Sequence, residues 1–540
     1  MAMLLQLVFD TAKVVNFFVE NTLGNHSASS ANAVTFTNMA QKRLKQLGLA
    51  GILVLFIFSG LHGQTCKEVV GYFASWKWYK RDKLVNPVSI DYSKYSVINY
   101  AFFKPLPSGA IVSGDTWADQ TILLGKERDQ NGVTKRDAAT SLPANAHKNN
   151  VKVVASVGGW SWSSAFPVLA SNAQTRKQFA ESCIDLIREY DLDGIDIDWE
   201  FPGNKLHNGT ANDKTNFTLL LISIREALNE YGSQNGKNLL LTAAFGPAPD
   251  HLDKIDWERV EPLLDMIHVM TYNYYGPWDK ITNHNTPLYP GAKGNSAFAI
   301  SSSIERLTKI HHVPASKITM GIAFYGRTAI MQNNSALYAL STGTADNINF
   351  KEENGTPSYY SIVAKAGLFN RQWDDKAGVP YLTGKAGVNS FVSYDDVESV
   401  KLKAAYAMKM QLLGAVIWDI SGDYLETFPG SRKISGTPLA DALHETFCSE
   451  SGRSVQPEAV CGVDMLVFPN PFRDEVDIKW NSDCAIVKIV VRNQSGQIVY
   501  VNEKIADGNL KLQSSGWTPG WYVIQLISAS GVTGQKVLKM

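Results

Sequence analysis

The densest chemistry in the chain lies in the run Asp193-Gly194-Ile195-Asp196-Ile197-Asp198-Trp199-Glu200. In a strand, positions two apart share a face, so Asp196, Asp198 and Glu200 point one way while Ile195, Ile197 and Trp199 point the other. The apolar set is expected to pack against helices. The acidic set is expected to rise along the inside of a barrel towards its C-terminal mouth. Three carboxyls in one column cannot all stay ionised, because like charges raise one another's pKa and a proton becomes shared. Such a column can keep one carboxyl protonated near neutral pH for use as a general acid, and Glu200, the outermost, is the candidate. The competing readings are a divalent-cation site and a structural ion network. No further oxygen ligands follow at a metal-loop spacing, so neither a metal nor a cofactor is expected.

The elements that must hold this column are legible as alternating strand and helix patterns. Eight short β-branched or aromatic runs fall at 69–73, 97–102, 151–157, 195–199, 239–244, 266–272, 318–323 and 414–418. Helical stripes fill the gaps, as in Phe179, Cys183, Leu186, Ile187 and Tyr190, or Phe217, Leu220, Leu221, Ile224 and Leu228. Eight strand-helix units predict an α/β fold, a closed (βα)8 TIM barrel. A doubly wound open sheet is the alternative, but no GxGxxG follows the first strand. The stretch between the seventh and eighth strands is too long for one crossover, and only 397–412 reads as its helix. Residues 328–395 are therefore expected to form an inserted α+β subdomain on the C-terminal face, where barrel active sites are built. A linker-like stretch covers 448–464. Beyond it, short runs at 476–480, 486–492, 498–503 and 521–527 predict a β-sandwich over 465–540.

Composition narrows the function classes. The 540 residues carry 51 Lys and Arg against 51 Asp and Glu, which leaves no basic footprint for nucleic acid. At 45% hydrophobic and 19% charged, the chain is folded rather than disordered. Its length exceeds one core and predicts a large domain with added modules. Five cysteines exclude a disulfide-built scaffold, and no CxxC pair or HExxH run offers zinc. Lys42, Arg43 and Lys45 lead into the apolar stretch 47–58 and then Ser59, Gly60 and Gly63, which reads as a secretory signal peptide over 39–64. The apolar stretch is too short for a bilayer span of about 20 residues, so no membrane span is expected in the mature form. Met39 stands where such a signal would begin, and 1–38 reads as an upstream extension or misassigned start. Gln64 and Thr65 before Cys66 argue against a lipoprotein signal.

Asp193-x-x-Asp196-x-Asp198-x-Glu200, on the fourth strand, resembles the catalytic signature of glycoside hydrolase family 18, the chitinases and their relatives. Ser156-Val157-Gly158-Gly159-Trp160, Met270-Thr271-Tyr272-Asn273, Tyr325-Gly326-Arg327 and Ala415-Val416-Ile417-Trp418 are similar to that family's motifs on the third, sixth, seventh and eighth strands. The inserted segment, with Trp373-Asp374 and Pro380-Tyr381-Leu382, resembles the subdomain of the deep-cleft bacterial members.

The resemblance implies a secreted chitinase that cuts β-1,4 linkages of chitin or N-acetylglucosamine oligomers with retention. The substrate's own acetamido oxygen then replaces the usual carboxylate nucleophile. Glu200 would be acid and then base, and Asp198 would bond the acetamido N–H. Asp196 would share the proton of Asp198, and Tyr272 would donate to the acetamido oxygen. Trp418 would floor the reacting sugar, Tyr72, Trp160 and Trp278 would line neighbouring subsites, and Met270, Asn273, Tyr325 and Arg327 would contact substrate. The alternatives are an endo-β-N-acetylglucosaminidase acting on peptidoglycan or N-glycans, or a non-catalytic chitin-binding lectin, although such lectins typically lose the acid. Asn273 departs from the Asp that deep-cleft members usually carry.

Residues 465–540, with Phe468-Pro469-Asn470-Pro471-Phe472, Ser495-Gly496-Gln497 and Gly520-Trp521-Tyr522-Val523, resemble the C-terminal sorting domain of the type IX secretion system. This implies that secretion machinery as a partner and an extracellular or cell-surface location. A chitin-binding module is the alternative. It should display a row of exposed aromatics, for which Trp480, Trp517 and Trp521 are the candidates. The catalytic chain is expected to be a monomer.

Overall fold

Eight β-branched and aromatic runs pair side by side in chain order, and the first pairs with both the second and the eighth. The computed structural model describes residues 66–128, 133–333, 336–449, 463–482, 486–493, 497–503, 508–528 and 531–540. The expected signal segment, the residues before it and most of the expected linker lie outside these. The chain divides into two units, at Glu450 and Ser451.

In the first unit the barrel strands are Glu68–Ala74, Val97–Pro105, Lys152–Gly158, Gly194–Asp198, Leu240–Phe245, Met266–Val269, Ile318–Ala323 and Gly414–Trp418. All are parallel, and the pairings Val70↔Val97 and Glu68↔Gly414 close the ring. Strands covered on both faces need continuous apolar runs, which is why the sequence pattern located them. The fourth strand shows the expected alternation. Ile195, Ile197 and Trp199 are buried on the helix side, where the Trp199 ring lies parallel to Phe166 at 5.2 Å between centroids. The stripe from Phe179 to Tyr190 on helix Ala173–Tyr190 and the stripe from Phe217 to Leu228 on helix Asp213–Asn235 close over this side. Burying each such side chain contributes about 1.5–3 kcal/mol. Val70, Val97, Val154, Leu240, Met266 and Val416 form a separate apolar cluster inside the ring.

Three boundaries differ from expectation. The sixth strand stops at Val269 instead of running to 272. The Thr271 N–H donates to Val269 O at 2.8 Å and the Tyr272 N–H to Met270 O at 2.6 Å, and these tight turns take Met270–Asn273 out of the ladder. The fourth strand ends at Asp198, so Glu200 sits just beyond its end. The crossover helix before the eighth strand is Val397–Lys409, shorter than 397–412.

Between the seventh and eighth strands lies an antiparallel sheet of Arg327–Ile330, Ser390–Ser393, Val379–Gly384 and Phe369–Asp374, in that spatial order, with helix Tyr359–Ala364. Trp373 and Pro380 are cross-strand partners in it. It is tied to the loop after the sixth strand by Asp374 Oδ2 to His284 Nε2 at 2.9 Å and by the Asn285 N–H to Ser393 Oγ at 2.7 Å. Cys66 and Cys448 form a disulfide that links the start of the barrel to the end of helix Pro438–Cys448. Cys183 is buried and free.

The second unit is a two-sheet sandwich. Val463–Phe468, Glu475–Ser482 and Asn509–Gln513 form one sheet, and Ile498–Asn502, Ile486–Asn493, Gly520–Ser528 and Gly531–Lys539 the other. Val476, Ile478 and Leu512 from the first share a core with Ile489, Val491, Ile524 and Val537 from the second. Of the three aromatic candidates for sugar binding, Trp480 and Trp517 pack against this core and only Trp521 is exposed, with Lys536 over its ring at 4.5 Å.

Candidate active site

Asp196 is the best-anchored of the three carboxyls. Its Oδ2 accepts from the Tyr72 and Ser156 hydroxyls, each at 2.7 Å, and its Oδ1 accepts from Thr242 Oγ1 at 2.6 Å. These donors come from the first, third and fifth strands, so barrel closure is what assembles them. His268, on the sixth strand, is buried beside them, its Nε2 3.8 Å from Asp196 Oδ1 and its Nδ1 2.7 Å from Thr319 Oγ1.

Asp198 is buried one step higher, and its Oδ1 has no hydrogen-bond partner. Burial, then the charges of Glu200 and Asp196, hold its carboxyl well above the usual carboxylate range. Burial pushes Glu200 up to about 7, against the opposing pull of the Trp160 backbone N–H. The main chain at Glu200 is pinned by its own N–H to Ser163 Oγ at 2.7 Å, and Ser163 in turn donates to Gly159 O at 3.0 Å. The paired glycines have a steric reason. Gly158 has φ +115°, and a Cβ there would meet Asp198 O at 2.3 Å, while the Gly159 N–H donates to that same oxygen at 2.8 Å.

Tyr272, Tyr325, Met270 and Trp418 form one apolar cluster at the mouth. Tyr272 is buried, and burial first and the neighbouring acids after it hold its hydroxyl protonated. Asn273, at φ +61°, is held by its N–H to Asn285 Oδ1 at 3.0 Å. Its own Oδ1 accepts from Tyr325 Oη at 2.7 Å and from Arg327 Nε at 2.9 Å. The Arg327 guanidinium lies 5.1 Å from the Trp278 ring centroid. Trp160 and Trp278 are exposed, at 51% and 55%.

Tyr72 lies elsewhere than a subsite wall. It is 2% exposed, with its hydroxyl on Asp196, because its place inside the first strand turns the ring into the barrel. The aromatic wall next to Trp418 belongs instead to residues that the sequence reading passed over. Phe102 stacks on Trp418 at 5.7 Å and on Trp76 at 5.8 Å. Further along, Tyr79 stacks on Trp117 at 5.7 Å. Trp76, Tyr79 and Trp117 are all exposed. The available signal was Trp76-Lys77-Trp78-Tyr79, an aromatic run directly after a barrel strand.

This geometry agrees with what comparison with known proteins finds. The family described as Glycosyl hydrolases family 18 matches residues 68–423. The chain belongs to glycosyl hydrolase family 18. It is 33% identical to chitinase A1 of Niallia circulans over 413 residues, a match that spans 68% of this chain and 58% of that protein. Among solved structures, a chitinase from Bacillus thuringiensis is 28% identical with a TM-score of 0.62, covering 88% of this chain and 85% of its own. A family 18 N-acetylglucosaminidase from Paenibacillus barengoltzii is 28% identical with a TM-score of 0.55, covering 70% and 99%. The family 18 chain is a glycoside hydrolase on a TIM barrel. Residues 466–540 match a secretion system C-terminal sorting domain, which indicates secretion and supplants the chitin-binding-module reading of the sandwich. Among the described residues no helix is long and apolar enough to cross a membrane.

Proposed function

We propose that this enzyme is a secreted chitinase that hydrolyses β-1,4 bonds between N-acetylglucosamine units with retention, using the substrate's acetamido group as nucleophile. The observation that carries this reading is the pairing of a protonated, buried Asp198, one oxygen of which is unpartnered, with Glu200 raised to about 7 just outside it. Glu200 protonates the leaving glycosidic oxygen while the acetamido oxygen attacks the anomeric carbon. The free oxygen of Asp198 takes the acetamido N–H. As positive charge develops on the oxazolinium ring, Asp198 keeps the proton it shares with Asp196 and turns it towards Glu200, and the three hydroxyl donors of Asp196 stabilise the full negative charge left there. Tyr272, kept protonated, donates to the acetamido oxygen. Glu200, now a carboxylate, takes a proton from the water that opens the ring.

Trp418 floors the reacting sugar, and Trp76, Tyr79 and Trp117 extend the groove as stacking surfaces on one side. Trp160, Trp278, Asn273, Tyr325 and Arg327 contact other sugars, with Met270 supporting Trp418. The C-terminal domain is an address for the type IX machinery.

The test is hydrolysis of N-acetylglucosamine oligomers by the wild type and by Glu200→Gln, with the product anomer recorded. The wild type is expected to release β product, and the variant to lose about 10²–10⁴-fold in rate. An α product, or full activity in the variant, overturns the mechanism. Product lengths separate internal cleavage from release of single sugars.

A further inference from the structure

The loop after the first barrel strand has an unusual backbone for which the chemistry above has no use. Arg81, Asp82 and Lys83 have φ of 49°, 51° and 60°, three consecutive non-glycine residues in the left-handed region. Such residues persist only where their surroundings over-determine them. Here the surroundings are the loop that follows Trp418. Arg81 Nη1 donates to Tyr424 O at 2.6 Å and Nη2 to Ser421 O at 3.0 Å. Its guanidinium also lies 3.6 Å from the centroid of the Tyr360 ring. Lys77, from the same loop, pairs with the buried Asp419 at 2.7 Å and reaches Ser358 Oγ at 3.3 Å.

The same loop carries Trp76 and Tyr79, and Trp117 meets Tyr79 from helix Thr116–Leu124, after the second barrel strand. Trp76 stands 6.1 Å from Trp418 between ring centroids. Tyr79 stacks on Trp117 and donates to Asp115 Oδ2 at 2.7 Å, and Lys83 lies over Trp78 at 4.1 Å and over Trp117 at 4.7 Å. The floor at the end of the eighth strand and the loop bearing Trp76 and Tyr79 after the first therefore come from opposite ends of the barrel sequence, and two cations of that loop tie it to the segment that follows Trp418.

We propose that Arg81, assisted by Lys77, is a positioning residue that holds the Trp76–Tyr79–Trp117 wall at a fixed spacing from Trp418 and thereby sets how tightly chains longer than the reacting unit are held. This rests on the reading of the wall as sugar-stacking subsites. The planar guanidinium suits the task, because it satisfies two carbonyls and an aromatic face at once, which a lysine ammonium cannot do. Without it, the left-handed residues relax and the wall loses its register with the floor, while the carboxyl column, held by hydrogen bonds within the barrel strands themselves, stays in place.

The test compares wild type, Arg81→Asn, Arg81→Lys and Trp76→Ala on three substrates: a chromogenic glycoside of the N-acetylglucosamine dimer, the hexamer, and swollen chitin. Asn accepts a left-handed φ, so Arg81→Asn removes the clasp at small backbone cost. Expected is a loss that grows with chain length. The dimer glycoside keeps its kcat/KM within about twofold, while KM for the hexamer and for swollen chitin rises about tenfold with kcat little changed. Arg81→Lys is expected to fall between, and it carries the comparison if Arg81→Asn folds poorly by its melting temperature. Equal losses on all three substrates overturn the proposal. So does a normal Arg81→Asn beside a Trp76→Ala that fails on long chains, which leaves the subsites standing without the clasp. If Trp76→Ala is also normal, the subsite reading itself falls.

Discussion

Removing one oxygen atom from Tyr72 tests whether the residue serves the carboxyl column or the sugar. Tyr72→Phe deletes a 2.7 Å hydrogen bond to Asp196 Oδ2 and leaves the ring in place, so its packing at 5.3 Å from Trp418 and 6.4 Å from Phe102 survives without a cavity. A hydrogen bond to a charged group is worth ~1.5–3 kcal/mol. Ser156 and Thr242 still donate to Asp196, which places the loss towards the lower end. Because that interaction strengthens when the shared proton stays on Asp198 and leaves Asp196 with the full negative charge, it is expressed in the transition state. The expected fall in kcat is then about 10–30-fold, at ~1.4 kcal/mol per decade. KM should stay within about twofold, because the hydroxyl meets Asp196 and not the groove. Steady-state kinetics on a soluble N-acetylglucosamine oligomer reads both constants, and a melting curve checks the fold. A raised KM with kcat preserved would refute the reasoning, since that is the signature of lost ground-state binding by a subsite residue. An unchanged kcat would show that the hydroxyl is idle in the chemistry.

The other expectations concern pH and cross-linking. The acid works only while protonated, so with Glu200 raised to about 7 activity should be full below that pH and lost as pH rises through it, as a pH profile of kcat would record. Asn273→Asp adds a negative charge to the same mouth and should move this alkaline limb upward. The shift should be less than about one unit, because Arg327 already donates to that side chain at 2.9 Å and offsets the charge; an unchanged or lowered limb counts against the idea. The Cys66–Cys448 disulfide closes a loop with a sequence separation of 382, so replacing both cysteines by Ser should lower stability by about 2–5 kcal/mol with kcat at 25 °C unaffected. Calorimetry of both forms checks this, and equal melting temperatures would dismiss it.

What the sequence determined by itself is what covalent geometry makes periodic. The two-residue repeat of a strand separated Asp196, Asp198 and Glu200 from Ile195, Ile197 and Trp199, and each acid or apolar side chain lies on its expected side with no need to know its neighbours. The eight strands were legible through a different local signal, since a strand covered on both faces is apolar along most of its length. The small departures, such as the sixth strand stopping at Val269, arise from backbone turns that carry no compositional mark.

Closure of the ring decided the rest. Tyr72 and Asp196 are 124 residues apart, and only the first strand's place across the barrel from the fourth puts that hydroxyl on that carboxylate. Five cysteines did not reveal their pairing until Cys66 and Cys448 were brought together by the meeting of the first and eighth strands. The wall of Trp76, Tyr79 and Trp117 was equally invisible, because exposure of a ring and its distance from Trp418 are properties of two loops that the chain separates and the fold joins. Local pattern selects an element and its faces, but which distant groups share a dry interior, and so which carboxyl holds a proton, is set by tertiary packing alone.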